Sequence, residues 1–163
     1  MKSILLIAAN PKNITNRRLQ EEERDIKECL RHSEHREMTR LSTSVAARPR
    51  DIQRALLYYK PQVVHFSGRG AGQAGLYFED LMGTEKLVST EALADLFRLF
   101  SHQVECVVLN ACYSEWQAKI ISQHIDHVIG MNRSIGNSAA IKFVNGFYTA
   151  LSYDESFKLA YEL

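Results

Sequence analysis

The sequence predicts a single α/β domain in which a mostly parallel central sheet carries helices on both faces. The chain has 163 residues, which is enough for one ordinary domain and short for two. Hydrophobic residues make up 45% of the chain and charged residues 24%, as in a soluble globular protein. Short apolar runs typical of strands alternate with amphipathic segments along most of the chain, and this alternation is typical of a parallel sheet.

The first two elements illustrate the two patterns. The apolar run at 3–9 is continuous, which favours a strand buried on both faces of a sheet. The segment 16–31 is highly charged and carries Leu19, Ile26 and Leu30 at helical spacing, so it predicts an amphipathic surface helix.

Local signals mark several boundaries between elements. The prolines Pro11, Pro49 and Pro61 each lie at a junction, and Pro49 opens a helix. Ser89 is placed to cap a helix that ends near Phe100. In order, the predicted elements are strand 3–9, helix 16–31, strand 37–42, helix 49–59, strand 62–67, a hairpin at 75–88, helix 89–100, strand 104–109, helix 115–124, strand 127–131, helix 138–151 and a helical segment at 154–163.

Composition argues against several classes of function. The net charge of +1, from 20 basic and 19 acidic residues, gives no broad reason to expect nucleic acid or an anionic membrane as a partner. The apolar runs are too short to cross a bilayer, and the N-terminus lacks a secretory signal pattern. Three cysteines without a Cys-x-x-Cys pair favour a reducing compartment, so we expect a cytoplasmic protein. The histidine spacing does not predict a metal site, and we expect no other cofactor.

Two segments stand at predicted strand ends, where parallel sheets collect ligands. They are the glycine-rich segment 68–75 and the turn 110–114, and they should lie side by side if their strands are neighbours. The glycine-rich segment is open to three interpretations: a phosphate-cradling loop, a flexible turn, or an active-site loop whose backbone approaches a substrate. It lacks the Gly-Lys-Ser/Thr ending of a P-loop.

Cys112 lies between a predicted strand and a predicted helix. A helix N-terminus favours the thiolate, and free backbone N–H groups at such a turn can bind an oxyanion, so Cys112 is a candidate nucleophile. The alternative is a small buried core residue. Cys29 and Cys106 sit within apolar patterns and are predicted to belong to the core.

Several segments together resemble the CHAT domain, a caspase-like branch of the cysteine peptidases. They read Ile-Leu-Leu-Ile-Ala-Ala-Asn-Pro at 4–11, Pro-Arg-Asp-Ile-Gln-Arg-Ala-Leu at 49–56, Val-Val-His-Phe-Ser-Gly-Arg-Gly at 63–70, Val-Glu-Cys-Val-Val-Leu-Asn-Ala-Cys-Tyr-Ser at 104–114 and Val-Ile-Gly-Met-Asn at 128–132. The resemblance implies a caspase-like three-layer fold, with a small hairpin after the active-site loop. It also implies a cysteine endopeptidase, often fused to repeat or sensor domains, so that the chain is expected to be one domain of a longer protein.

The resemblance places the family's nucleophile on Cys112. The family writes Ser-Gly-His-Gly where this chain has Ser67-Gly68-Arg69-Gly70, so Arg69 stands at the position of the dyad histidine. The resemblance also implies that the backbone N–H groups of Cys112 and Gly70 are the oxyanion donors. Arginine fits a natural loss of the dyad better than a deliberate inactivation, for which alanine is the commoner choice.

Substrate preference has few signals. Some relatives specific for basic residues carry an aspartate two positions before the cysteine, and here that position is Asn110. Glu79 and Asp80 follow the active-site loop and either line a pocket or form a solvated hairpin end. The residues expected at a substrate groove are Gly68, Glu79, Asp80, Asn110 and Ser114.

The functional hypotheses depend on whether the site can work with Arg69 in place of a histidine. A dyad histidine takes the thiol proton and later protonates the leaving amine, whereas arginine keeps its proton at any usable pH. The first hypothesis is a weakened or rescued cysteine endopeptidase, and the second is a pseudo-peptidase that binds protein or peptide partners. The third is a flavodoxin-like or nucleotide-binding module, which the resemblance disfavours. His65 is predicted to be a core residue rather than a substitute for the missing histidine.

Overall fold

The computed structural model describes residues 2–9, 17–33, 39–45 and 48–163. Within these segments, alternating strands and helices follow the predicted order. They are β1 (Lys2–Ala8), α1 (Arg17–Arg31), β2 (Thr39–Val45), α2 (Pro49–Tyr59), β3 (Val63–Ser67), β4 (Arg69–Gly70), β5 (Gly75–Glu79), β6 (Glu85–Ser89), α3 (Thr90–Leu99), β7 (Cys106–Asn110), α4 (Glu115–Ile121), β8 (His127–Ile129), α5 (Asn137–Ser152) and α6 (Phe157–Glu162).

Within the described segments, the central sheet consists of five parallel strands in the order β2-β1-β3-β7-β8. Strands β1, β3 and β7 are interior, and β3 and β7 are buried along their whole length. Their near-continuous apolar sequence suits burial on both faces, as a parallel sheet requires. The predicted fold class, a mostly parallel sheet between two helical layers, is confirmed.

Alternate residues of each strand pack against opposite helical layers. In β1, Leu5 and Ile7 join a core with residues of α2, α3 and α4. Ile4 and Leu6 face the other way and pack with residues of α1, α5 and α6. The period of two residues along the strand therefore generates both halves of the core.

Helix boundaries follow local chemistry. Pro49 is the first residue of α2, where a missing N–H costs nothing, and Lys60 ends this helix in the left-handed conformation (φ 47°, ψ 55°). Ser89 caps α3 as predicted, because its side chain accepts a hydrogen bond from the Ala92 N–H at 3.2 Å.

The glycine-rich segment is more ordered than a plain loop. Its Arg69–Gly70 strand pairs antiparallel with β5, which pairs with β6 to complete the predicted hairpin, and a short 3-10 helix spans Gly72–Ala74. Gly75 has φ 148°, and a Cβ there would lie 1.9 Å from the carbonyl oxygen of Val88. Only glycine permits this approach of the two hairpin strands.

Some boundaries differ from the prediction. Helix α4 ends at Ile121, because the N–H groups of Gln123 and His124 donate to carbonyls three residues back and tighten the chain out of the α-helix. Strand β8 ends at Ile129, because the next residues turn towards α4, where the Met131 carbonyl accepts from the Glu115 N–H at 3.0 Å.

A few predicted features lie outside the described residues. They are Pro11, the first residue of predicted helix 16–31, and residues 37 and 38 of predicted strand 37–42. Of the helices in the described segments, none is both long enough and apolar enough to cross a bilayer.

Candidate active site

The two segments predicted to carry chemistry are neighbours. Strands β3 and β7 pair directly, with Ser67 opposite Asn110 at their carboxyl ends. The Gly68 N–H donates to the Asn110 carbonyl at 3.4 Å, which continues the pairing into the following segments. The sequence prediction that segments 68–75 and 110–114 lie side by side is therefore correct.

Gly70 and Cys112 meet backbone to backbone. A Cβ at Gly70 would lie 2.4 Å from the carbonyl oxygen of Cys112, far inside van der Waals contact. Gly68 is also tightly placed, since a Cβ there would lie 2.7 Å from the Phe66 ring. Glycine at position 70 thus permits the approach of the segment carrying Arg69 to the segment carrying Cys112.

Cys112 lies in the turn between β7 and α4, and its side chain is half-buried. Its Sγ donates towards Ser134 Oγ at 3.7 Å. The next residue, Tyr113, has φ 59°, a left-handed conformation that non-glycine residues seldom adopt. This conformation ends β7 sharply and turns the chain into α4 directly after the cysteine.

Ser114 is fully buried rather than exposed at a groove. Its hydroxyl donates to the Leu109 carbonyl at 3.2 Å and accepts from the Met131 N–H at 3.0 Å. Ser114 therefore braces the turn that carries Cys112, and its burial leaves no surface for a substrate.

The guanidinium of Arg69 is held by the hairpin. Its Nη2 donates to the carboxylate of Glu85 on β6, and its Cζ lies 4.5 Å from the ring centroid of Tyr77 on β5. The Arg69 side chain is 46% exposed and that of Glu85 31% exposed, so water screens this pair. Both partners lie on the hairpin strands, to which β4 is joined through Tyr77.

Glu79 and Asp80 occupy a different region of the surface. Asp80 stabilises the hairpin turn by accepting from the N–H groups of Met82 and Thr84 and from the Thr84 hydroxyl at 2.6 to 2.9 Å. Glu79 is 5% exposed. Both border a cavity of about 770 Å³ between α2 and the β5–β6 hairpin, and the described lining of this cavity includes neither segment 68–71 nor turn 110–114. The prediction that Glu79 and Asp80 line a groove beside Cys112 therefore does not match their position at the cavity between α2 and the hairpin.

A buried polar cluster, which the sequence prediction does not include, lies beneath the strand ends. Glu22 of α1 is 3% exposed, and its carboxylate accepts hydrogen bonds from His65 Nε2 at 2.6 Å, from the Ser67 hydroxyl and from the Asn110 amide. The other ring nitrogen of His65 lies 2.7 Å from the Tyr148 hydroxyl. His65 is therefore a satisfied buried residue, as its position in a strand predicts, and Asn110 is buried rather than open to a groove.

The cluster sets the charge state of Glu22. Burial acts to raise the pKa of this carboxyl, but the attraction of His65 and the hydrogen bonds to the carboxylate outweigh it. The pKa of Glu22 consequently lies below its ordinary value. The available sequence signal was an acid on the apolar face of α1, between Leu19 and Ile26, because a carboxylate there needs buried donors.

The three cysteines differ in their surroundings. Burial raises the pKa of the fully buried Cys106 to about 12, with a smaller contribution from Glu105, and this supports the prediction of a core residue. Cys29 is partly buried against the core formed with α1 and α5. In the described parts of the chain, no three His, Cys, Asp or Glu side chains converge as metal ligands.

Known proteins are similar to this chain in sequence. The family model of the CHAT domain matches residues 2–160. A probable protease of Gillisia limnaea is 26% identical over 153 residues, covering 93% of this chain and 27% of that protein. A Roc-COR-CHAT protease of an unknown prokaryotic organism is 27% identical over 117 residues, covering 68% of this chain and 11% of that protein. The chain thus spans about a quarter or less of these relatives.

A solved structure supports the fold independently. A secreted C11 cysteine protease of Bacteroides thetaiotaomicron, in complex with an irreversible peptide inhibitor, superimposes with a TM-score of 0.73. The match covers 99% of this chain and 56% of that protein at 14% sequence identity, so it bears on the fold alone. With the family match across nearly all residues, it shows that this chain belongs to the CHAT domain family and has the fold of the caspase-like cysteine proteases.

Proposed function

We propose that this CHAT domain binds an extended protein or peptide segment beside Cys112, and that its peptide-bond hydrolysis is lost or strongly reduced. The observation that carries the proposal is the placement of Arg69. The family resemblance puts Arg69 where relatives have the dyad histidine. Arg69 is next to the Gly70 backbone that touches Cys112, and its guanidinium binds Glu85. A guanidinium keeps its proton at any usable pH, so it can neither accept the thiol proton nor donate one to a leaving amine.

The chemical consequence follows from the two proton transfers of a cysteine peptidase. The thiol must lose a proton to attack, and the leaving amine must gain one. Loss of such general acid–base help typically slows a reaction by about 10²- to 10⁴-fold. The retained elements are the Cys112 thiol, the backbone N–H groups of Cys112 and Gly70 as oxyanion donors, and Gly68 as part of the groove.

His65 does not restore the missing function in this proposal. It is fully buried, and its two ring nitrogens face Glu22 and Tyr148 at 2.6 and 2.7 Å. Moving the imidazole to the surface would leave the Glu22 carboxylate buried beside fewer donors, which is strongly unfavourable.

A second candidate function is a cysteine endopeptidase of low activity. Partial exposure of Cys112, in contrast to Cys106, favours it, because an accessible thiol can attack a carbonyl group whereas a fully buried one cannot. In this case Arg69 would stabilise a thiolate by its charge while proton transfer stayed slow.

Cleavage of a mixed peptide library separates the two candidates. The experiment compares four proteins: the unmodified chain, Arg69→His, Cys112→Ala and the double variant. Peptides that Arg69→His cuts are then tested for binding to the unmodified chain. We expect only Arg69→His to cut peptides, at a rate about 10²-fold or more above that of the unmodified chain. We also expect the unmodified chain to bind the cut peptides measurably. Cleavage by the unmodified chain that Cys112→Ala abolishes would establish the weak endopeptidase instead. Binding of the whole library to the unmodified chain is also measured. If no variant cuts and no library peptide binds, the groove itself is refuted.

We also infer a cytoplasmic setting in a longer protein, with protein or peptide partners rather than nucleic acid or membrane. The near-neutral net charge of +1 supports the choice of partner, and the small share of the relatives that this chain spans supports the multidomain setting. Fractionation of cells that produce the native gene product, followed by immunoblotting against this domain, tests both its size and its location.

A further inference from the structure

Glu22 touches both strands that lead into the candidate active site. Its Oε1 accepts from His65 of β3 and from Asn110 of β7, and its Oε2 accepts from Ser67 of β3. Ser67 and Asn110 face each other across the strand pairing. Each lies two residues before a candidate site position, Arg69 and Cys112 respectively, so one carboxylate holds both strand ends.

We propose that Glu22 is a positioning residue: from helix α1 it locks the carboxyl ends of β3 and β7 together, and so sets the distance between position 69 and Cys112. The proposal concerns the geometry of the site, and it holds whether or not the chain hydrolyses peptides. Its failure is therefore distinguishable from failure of the proposed function.

Three donors from two strands converge on this point, and a carboxylate has enough lone pairs to satisfy them all. The donors are the imidazole of His65, the hydroxyl of Ser67 and the amide of Asn110, each 1% exposed or less. A buried donor without an acceptor is costly, so removal of the carboxylate favours opening of the strand ends towards water. Tyr148 of α5 steadies the imidazole from its other side at 2.7 Å.

The test uses two substitutions of similar size that differ in hydrogen bonding. In Glu22→Gln, the amide oxygen still accepts from His65 and Asn110, while the amide N–H donates to the reoriented Ser67 hydroxyl. Glu22→Met keeps the length of the side chain and removes both acceptors. Ser33→Ala is a matched control, because Ser33 is also buried at the end of the α1 segment but bonds to the Ser152 carbonyl, on α5.

Native-state hydrogen exchange gives the local readout. The reporters are the N–H groups of Ala9 and Gly68, which donate to the carbonyls of Ser67 and Asn110 at the strand ends. The reference is the Cys106 N–H, which donates to Gln62 at the opposite end of β7. All variants are compared under conditions in which the reference exchanges only by global unfolding.

For Glu22→Met we expect protection at the reporters to fall about tenfold or more relative to the reference amide. Glu22→Gln should restore it to within about threefold of the unmodified chain, and Ser33→Ala should change reporters and reference equally. Equal losses at reporters and reference in Glu22→Met, or no rescue by Gln, would overturn the positioning role. If Glu22→Met does not fold, Asn110→Ala applies the same comparison, because it removes only the link from β7.

Discussion

The α-carbon of Gly70 lies against the carbonyl oxygen of Cys112, so closely that a Cβ at position 70 would stand 2.4 Å from that oxygen. The atom in the way belongs to the backbone and cannot rotate aside as a flexible side chain would. The absence of a side chain at position 70 therefore permits the close approach of the two site segments.

Gly70→Ala should push segment 69–71 away from Cys112 or strain the turn after β7. We expect the free energy of unfolding to fall by about 1–3 kcal/mol, as for overpacking of a tight contact, measured by urea denaturation. Gly136→Ala is the control, because a Cβ at Gly136 meets nothing within 4 Å and its φ of −63° suits alanine. Equal effects at positions 70 and 136 would contradict the close contact.

The Arg69–Glu85 pair should contribute little to stability, because both side chains are partly exposed. A double-mutant cycle with Arg69→Ala and Glu85→Ala should give a coupling energy of about 0.2–1 kcal/mol that shrinks as salt increases. Tyr77→Leu serves as a control, since it removes the ring beneath the guanidinium and leaves the ion pair in place. A coupling energy of zero at low salt would show that Glu85 does not hold Arg69, and would remove this contact from the support for the proposed function.

The helices and strands of this molecule are predictable from sequence patterns because they depend largely on local chemistry. Helix α2 runs over Pro49–Tyr59 as predicted, since a proline at its first position and an amphipathic pattern fix it without reference to distant residues. The neighbouring strand ends also followed, because buried apolar runs with intervening helices leave few arrangements of a parallel sheet.

The details of the site depend on contacts that the sequence does not display. Glu22 receives its hydrogen bonds from residues 43, 45 and 88 positions away in the chain. Arg69 was identified by its place in a motif, but its direction depends on the register of the hairpin, which brings Tyr77 opposite it. The sequence predicts Asn110 and Ser114 at a groove because they flank Cys112, whereas their burial follows from tertiary packing.

The lowered pKa of Glu22 predicts a loss of stability in acid. A carboxyl whose folded-state pKa is depressed stabilises the protein above its ordinary pKa, near 4.5, and loses that contribution as the pH falls towards the folded-state value. The difference in unfolding free energy between the unmodified chain and Glu22→Gln should therefore shrink as the pH is lowered from 7 to below about 4.5. Urea denaturation at several pH values measures it. A difference that stays constant, or grows in acid, would mean that the carboxylate is not stabilised by its buried donors.

Thiol labelling should distinguish the cysteines sharply. Cys106 is fully buried with its pKa raised to about 12, so at pH 8 almost none of it is thiolate and its sulfur is shielded from reagents. Cys112 is half-buried, and we expect iodoacetamide to alkylate it about 10² times faster than Cys106, or more. Mass spectrometry of the digested chain measures the label on each cysteine. In Cys112→Ala the label on the peptide containing position 112 should vanish, and Cys106 should become reactive only on unfolding in urea. Cys29, which is also partly buried, is scored on its own peptide. A Cys112 that is alkylated no faster than Cys106 in the folded chain would separate Cys112 from the open surface that a groove requires.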